Sequence, residues 1–450
     1  MPFNEKEIQD YIWNHREELF SMIEPPSFDP EPIKMPEEYE PWELLYYQLI
    51  KEYKESYELL DCLDIFGCEV RLPKEGENTI RTDFLGCFEG ENGLIICELK
   101  VNRQPERQSY TELFAYANHI RSKFAPMGRR DIFYLLIAPM EERIVREATI
   151  SNLLYDKNRE IVLIPEVGAT IDTLKFKMWI PSKDDFCVFA RTAFAFENID
   201  VFRISWKGAE GIWSPTQEGM SPNTEMIHRL NKVSHCAAQI MEANGINGFV
   251  YCSQSYPEVR ENGILENGIT ICGINPFKSA KTRYFYKKGL NINEAAKAEI
   301  EHLGMEMIFP NLKNNCEDLD NRESHLFLLS ESWSSCLDRI AFDVLRLVNY
   351  TFGPMRYEHG YSSFTWDSYL YDSSEDDLCW NFDINLTGIF REIYNLKLER
   401  YYEAAHKYTD REKSIIIESG KLEYHCIDMI YSHHHIRDFI KGLIGNKDEN

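Results

Sequence analysis

None of the twelve cysteines stands in a Cys-x-x-Cys pair, so the closely spaced thiolates of a structural zinc site are missing. Several occupy apolar stretches (Cys87, Cys97, Cys252 and Cys272), which predicts reduced, buried thiols. No apolar run reaches the roughly 20 residues that a bilayer-spanning helix needs. The opening residues MPFNEKEIQDYIWNHREELF are charged throughout, unlike a secretory signal. Together these absences predict a soluble, cytoplasmic protein with no membrane partner. There is no phosphate-binding glycine loop, dinucleotide fingerprint or Gly-x-Ser-x-Gly, and no period of the solenoid type. Positive charge is also scarce: 49 Lys and Arg face 74 Asp and Glu, a net charge of −25. That balance argues against coating nucleic acid by bulk electrostatics.

What is present is a folded, aromatic-rich chain of 450 residues, 44% hydrophobic and 13% aromatic, long enough for two or three domains. Residues 4–24 read as an amphipathic helix, 25–41 as a Pro-rich acidic connector, and 42–60 as a second helix. A strand follows near 65–72. The apolar run Ile132–Ala138 predicts a central strand covered on both faces. A helix near 141–154 and a strand at 160–164 complete an α/β succession ending near Pro181. The expected organisation is therefore an α/β domain over 1–180, an α+β middle region over 181–280, and a mainly helical region over 281–450. In the middle region Asn223 and Asn244-Gly245 bracket a helix, and the repeated Glu-Asn-Gly of 260–268 reads as hairpin chemistry. Later, 332–350 and 386–408 are predicted helices. The acidic run 372–377 lacks the spacing of a calcium loop. His433, His434 and His435 point about 100° apart on a helix and cannot converge on one ion.

The segment carrying most chemistry is TIRTDFLGCFEGENGLIICELKVNRQPERQSYTELFAYANHI, from Thr79 to Ile120. An apolar strand, Leu94–Cys97, ends in Glu98-Leu99-Lys100. Alternation puts Glu98 and Lys100 on one face and Leu99 on the other. If the strand carrying Asp83 pairs beside it, two carboxylates and an ammonium converge. Carboxylate oxygens are hard ligands for Mg²⁺ or Mn²⁺, and such an ion beside a lysine can activate water against a phosphodiester. In the helix that follows, Tyr110, Leu113, Phe114, Ala117 and Ile120 form the apolar stripe. Gln108, Glu112, Tyr116 and His119 fall on the other side. From Lys100 to Arg146 nine basic residues face five acidic ones, which places the most basic window beside this constellation. Arg103, Arg107, Lys123, Arg129 and Arg130 are its candidate nucleic-acid contacts.

Asp83, the Glu98-x-Lys100 strand end and the polar-faced helix together resemble the PD-(D/E)xK nuclease superfamily, over roughly the first 140–170 residues. The resemblance implies a restriction-endonuclease-like core, a mixed sheet flanked by helices, and an Mg²⁺- or Mn²⁺-dependent endonuclease. It implies Asp83, Glu98 and Lys100 as catalytic residues, with Asp83, Glu98 and the Leu99 carbonyl holding the metal. Gln108, Glu112 and Tyr116 would support them, Glu112 standing where the family often has Gln. Thr82 stands where it often has Pro. A glutamate from an earlier helix commonly joins such sites, and Glu5 and Glu43 are both candidates. The implied substrate is nucleic acid, DNA before RNA, in a setting such as bacterial restriction or antiphage defence. The remaining chain would then serve recognition, self-association or a regulatory partner. Two other readings stay open: a catalytically inactive nuclease-like binding module, and a hydrolase of another phosphate compound.

Overall fold

A computed structural model describes residues 2–102, 106–184, 186, 194, 198, 199–207, 213–216, 219–255, 266–278, 320–349, 355–359, 379–406 and 433–444. The chain divides into two compact units, Met1–Pro32 with Tyr46–Phe186, and Ile33–Leu45 with Cys187–Asn450.

The first unit begins with α1 (Glu5–Asn14). Asn4 caps it by accepting from the Glu7 N–H at 2.9 Å, and Glu7 returns the bond to the Asn4 N–H at 2.8 Å. The predicted helix over 4–24 breaks at His15 (φ −119°). There the imidazole stacks on Tyr11 at 4.2 Å and its Nδ1 lies 2.9 Å from the Tyr11 carbonyl. A short α2 (Leu19–Met22) follows, then α3 (Pro41–Leu59), which belongs to this unit from Tyr46 on, and β1 (Leu63–Leu72), β2 (Ile80–Phe88) and β3 (Leu94–Leu99). The turn from β2 to β3 uses Gly90 at φ +81° and Gly93 at φ +149°, conformations closed to most side chains. Next come α4 (Ser109–Lys123), β4 (Ile132–Ile137), α5 (Arg143–Leu154), β5 (Arg159–Glu166) and β6 (Lys175–Met178).

These strands form one mixed six-stranded sheet in sequence order. β1, β2 and β3 run antiparallel, β3, β4 and β5 run parallel, and β6 closes antiparallel to β5. All six residues of β4 are buried, as a strand covered on both faces requires. On one face Ile96, Tyr134, Leu136 and Val162 pack against Tyr110, Leu113, Tyr116, Ala117 and Ile120 of α4 and Val145 of α5. Two positions on α4 depart from the predicted stripe. Tyr116, expected on the polar side, is buried, whereas Phe114 is 41% exposed.

In the second unit a five-stranded sheet has the order β12-β7-β11-β10-β13. Its strands are β7 (Ile199–Lys207), β10 (Gly248–Ser255), β11 (Glu266–Ile274), β12 (Met355–His359) and β13 (Cys379–Thr387). β8 (Trp213–Thr216) and β9 (Gly219–Pro222) pair separately. Phe202, Ile204, Trp206, Val250, Ile269 and Ile271 pack against α6 (Thr224–Ala243) and α7 (Asp320–Leu347). The sheet thus draws strands from both 181–280 and 281–450. The helix expected over 386–408 begins later, as α8 (Ile389–His406), because Leu386 belongs to β13. Glu266-Asn267-Gly268, read as turn chemistry, lies within β11 instead. The first Glu-Asn-Gly and the acidic run 372–377 lie outside the described residues. His433–His435 open α9 (His433–Ile444). No described helix is long and apolar enough to cross a membrane.

Candidate functional site

The site lies where β2 and β3 part. Their ladder pairs Cys87 with Leu94 through to Phe84 with Cys97, so continuing the register sets Asp83 opposite Glu98. At that step side chains take over from the backbone. The Leu99 N–H donates to Asp83 Oδ2 at 2.7 Å. The Thr82 hydroxyl, fully buried, lies 2.9 Å from the Phe84 carbonyl and 3.1 Å from that of Cys97. Thr82 therefore closes the gap that opens between the strands. On the other side of β3, Lys100 donates its backbone N–H to the Ile137 carbonyl at 2.8 Å.

Pairing and alternation put Asp83 and Glu98 on one face, the face covered by α4. Lys100 follows on the same face, and its ammonium contacts Glu98 Oε1 and lies 2.9 Å from Glu112 Oε2. Glu98 is 2% exposed and Lys100 7%. Glu98 Oε2 is buried and finds no donor among the described residues. Burial, reinforced by the Asp83 charge and a hydrogen bond with Glu112, pushes the Glu98 carboxyl up to about 10 despite Lys100. Glu98 therefore holds a proton at neutral pH and shares it with Glu112. Glu112 is itself partly desolvated, but that shared proton and the Lys100 ammonium hold it below the usual carboxylate range. Burial raises Asp83 to about 6 against the opposing Leu99 N–H and Lys100. Burial also works against the Lys100 charge, yet Glu98 and Glu112 outweigh it and keep the ammonium protonated. Tyr116, one turn beyond Glu112, is raised by burial and by Glu98, Glu112 and Asp83, and stays a neutral phenol.

Helix α1 contributes two groups. Glu5 accepts a backbone hydrogen bond from Val101, and its carboxyl is raised by burial, with Lys100 opposing and Glu112 reinforcing. Glu43 is engaged elsewhere, with Lys34 at 2.8 Å, and belongs to the second unit. Of the two glutamates, Glu5 is the one that approaches the site. Gln9, 4% exposed, donates Nε2–H to Asp83 Oδ1 at 3.1 Å. Sequence reasoning missed it. The readable signal was a glutamine one turn after Glu5, between Ile8 and Ile12 on the buried side of α1.

The remaining candidates are not gathered here. Gln108 is exposed at the N-cap of α4. Arg107 is engaged by Glu142, with Nη2 2.7 Å and Nε 3.0 Å from Oε2. Arg103 lies outside the described residues. Lys123, Arg129 and Arg130 are exposed, but the expectation that their loop adjoins the site is corrected by topology. β3 and β4 are parallel, so the loop entering β4 lies at the start of β3, while Glu98 lies at its end. At about 3.3 Å per residue, Leu94 and Glu98 are roughly 13 Å apart along the strand. Arg159 marks that far end, bonding the Asn92 carbonyl at 3.1 Å and that of Arg130 at 3.4 Å.

Among the described residues no cluster of three or more His, Cys, Asp or Glu is arranged to hold a metal ion. A two-carboxylate set still suits Mg²⁺, which commonly takes one or two carboxylates and keeps several waters. The buried, donorless Glu98 Oε2 beside Asp83 fits that demand. Comparison of the chain with protein-family models, curated proteins and solved structures finds no match.

Proposed function

We propose that this protein is a divalent-metal-dependent nuclease with a PD-(D/E)xK-like core in its first unit, hydrolysing phosphodiester bonds of nucleic acid. The observation carrying this reading is the placement of Asp83 and Glu98 on one face of neighbouring strands, with the Lys100 ammonium against Glu98. Asp83, Glu98 and the Leu99 carbonyl would hold Mg²⁺ or Mn²⁺. When bound, the ion would polarise the scissile phosphate and lower the pKa of a coordinated water. Lys100 is buried and held by Glu98 and Glu112. It supplies a fixed positive charge to orient the attacking water and offset charge developing on the phosphate. Glu112 aims that ammonium, and the neutral Tyr116 phenol offers a donor beside it. Because Glu98 holds a proton in the metal-free site, metal uptake is expected to release it. DNA is the favoured substrate, and restriction or antiphage defence the proposed setting, on the resemblance alone. The acidic net charge fits weak indiscriminate affinity for nucleic acid.

The test is cleavage of plasmid and single-stranded nucleic acid by the full chain with Mg²⁺ or Mn²⁺. Asp83→Ala, Glu98→Ala and Lys100→Ala should each abolish cutting while the far-ultraviolet spectrum stays native. Undiminished cutting by Glu98→Ala would refute the assignment. One observation favours a non-catalytic binding module instead. The Lys100 ammonium is already balanced by Glu112 beside the protonated Glu98, so its charge is compensated without an ion. Absence of both metal binding and cleavage would favour that reading.

A further inference from the structure

We propose that Gln9, oriented by Lys6, is a positioning residue that clamps the Asp83 carboxylate for cation binding, an inference resting on the metal-site reading above. A carboxylate held by one hydrogen bond can still turn about its Cβ–Cγ bond, a broad torsion in aspartate. Asp83 is held by two, from different parts of the fold: the Leu99 N–H on Oδ2 at 2.7 Å and Gln9 Nε2–H on Oδ1 at 3.1 Å. Together they fix the plane of the group, and each oxygen keeps a second lone pair for a ligand.

The amide of Gln9 has only one workable orientation. An ammonium can only donate, and Lys6 Nζ lies 3.1 Å from Gln9 Oε1. The amide oxygen must therefore face Lys6, which turns the NH₂ group to Asp83. Lys6 is itself steadied by Asp10 at 3.2 Å and Glu69 at 3.1 Å. The backbone of Gln9 is anchored as well, because its neighbours Ile8 and Ile12 are fully buried. Gln9 is shielded from solvent, so water is poorly placed to substitute for its bond to Asp83.

The experiment is calorimetric titration of the full chain with Mn²⁺ alone, comparing wild type with Gln9→Met, Lys6→Met and Asp83→Asn. Gln9→Met keeps the length and removes the donor. It should weaken Mn²⁺ binding about tenfold, the low end of what loss of a ligand's hydrogen-bond partner costs. Lys6→Met should weaken binding by a smaller factor. Deleting a nearby cation would by itself strengthen cation binding, so a loss isolates the orienting effect. Asp83→Asn should abolish the site. Near-ultraviolet circular dichroism checks that each variant is folded, and if Gln9→Met is not, the exposed Lys6→Met carries the test. Gln9→Met binding within about twofold of wild type, or tighter binding by Lys6→Met, overturns the positioning role and leaves the metal site standing. A wild type with no Asp83-dependent Mn²⁺ binding overturns both.

Discussion

Replacing Glu160 with Gln should stabilise the protein at alkaline pH and leave it almost unchanged at acid pH. Glu160 enters β5 facing α4 and α5, 3% exposed. Its Oε1 contacts the Tyr110 hydroxyl, and its Oε2 accepts from Asn152 Nδ2 at 2.6 Å. The Tyr110 hydroxyl also lies 2.6 Å from Thr149 Oγ1, and the Thr149 hydroxyl donates to the Val145 carbonyl at 3.0 Å. A phenol has one proton. With the threonine proton committed to Val145, Thr149 Oγ1 is satisfied only if Tyr110 donates to it. The single phenol proton cannot serve both Thr149 Oγ1 and Glu160 Oε1, and a proton on Glu160 lets both contacts be made. Burial points the same way, lifting the Glu160 carboxyl to about 7 although Tyr110 and Asn152 oppose it. The other ionisable groups around it, Tyr53, Tyr110 and Tyr134, are raised by burial and stay neutral over this range.

The sign follows from linkage. The folded carboxyl titrates near 7 and the unfolded one near 4.5, so the folded state binds more protons between those values. Its stabilising contribution is complete below about pH 4.5 and disappears as pH rises through 7. At 1.36 kcal/mol per unit, the loss by pH 8 is about 3 kcal/mol. Glutamine keeps the shape and has no proton to lose. Its NH₂ donates to Tyr110 and its oxygen accepts from Asn152. Urea unfolding of wild type and Glu160→Gln at pH 5, 6, 7 and 8 should therefore give curves that separate steadily, reaching about 3 kcal/mol at the top of the range. A separation that is flat with pH would refute the neutral-acid assignment.

Thr82→Val removes the hydroxyl that bridges Phe84 and Cys97. It should cost about 1–3 kcal/mol by leaving a buried carbonyl unsatisfied, read by urea unfolding, and should weaken Mn²⁺ binding through Asp83. Gly248→Ala would place a Cβ 2.0 Å from the Cys272 carbonyl oxygen across the β10–β11 ladder. It should destabilise the second unit by about 3 kcal/mol or more, seen as early loss of its hydrogen-exchange protection. The triple variant Lys123→Ala, Arg129→Ala, Arg130→Ala should leave Mn²⁺ affinity unchanged, because that loop is at the other end of β3; a large loss in titration would contradict the topology.

Much of the first unit was legible because its strongest signals are local. A six-residue run with apolar side chains on both faces, too short for a typical helix, suits an internal strand, and β4 is that strand. Period-two alternation was enough to put Glu98 and Lys100 on one face of β3. The helix was harder. Tyr116 looks polar by its hydroxyl, but its ring is drawn under the sheet with Leu113 and Ile120, while Phe114 is turned outward. Tertiary packing outweighed the nominal stripe. In the second unit β12 and β13 come from a stretch whose helical periodicity dominates, and short strands are weak signals beside long helices.

By itself the sequence determined which residue types stand at the end of an apolar strand and which of them alternate onto one face, because strand geometry is a property of consecutive residues. It also determined the charge balance and the absence of cysteine pairs. Only the tertiary structure decided that Glu5 rather than Glu43 approaches Lys100 and that Gln9 reaches Asp83 across 74 positions of chain. It also decided that the basic loop lies away from the carboxylates. The first two depend on how distant segments run past one another; for the loop, the strand–helix–strand succession suits parallel pairing, but only the observed register of β3 on β4 sets it opposite the start of β3.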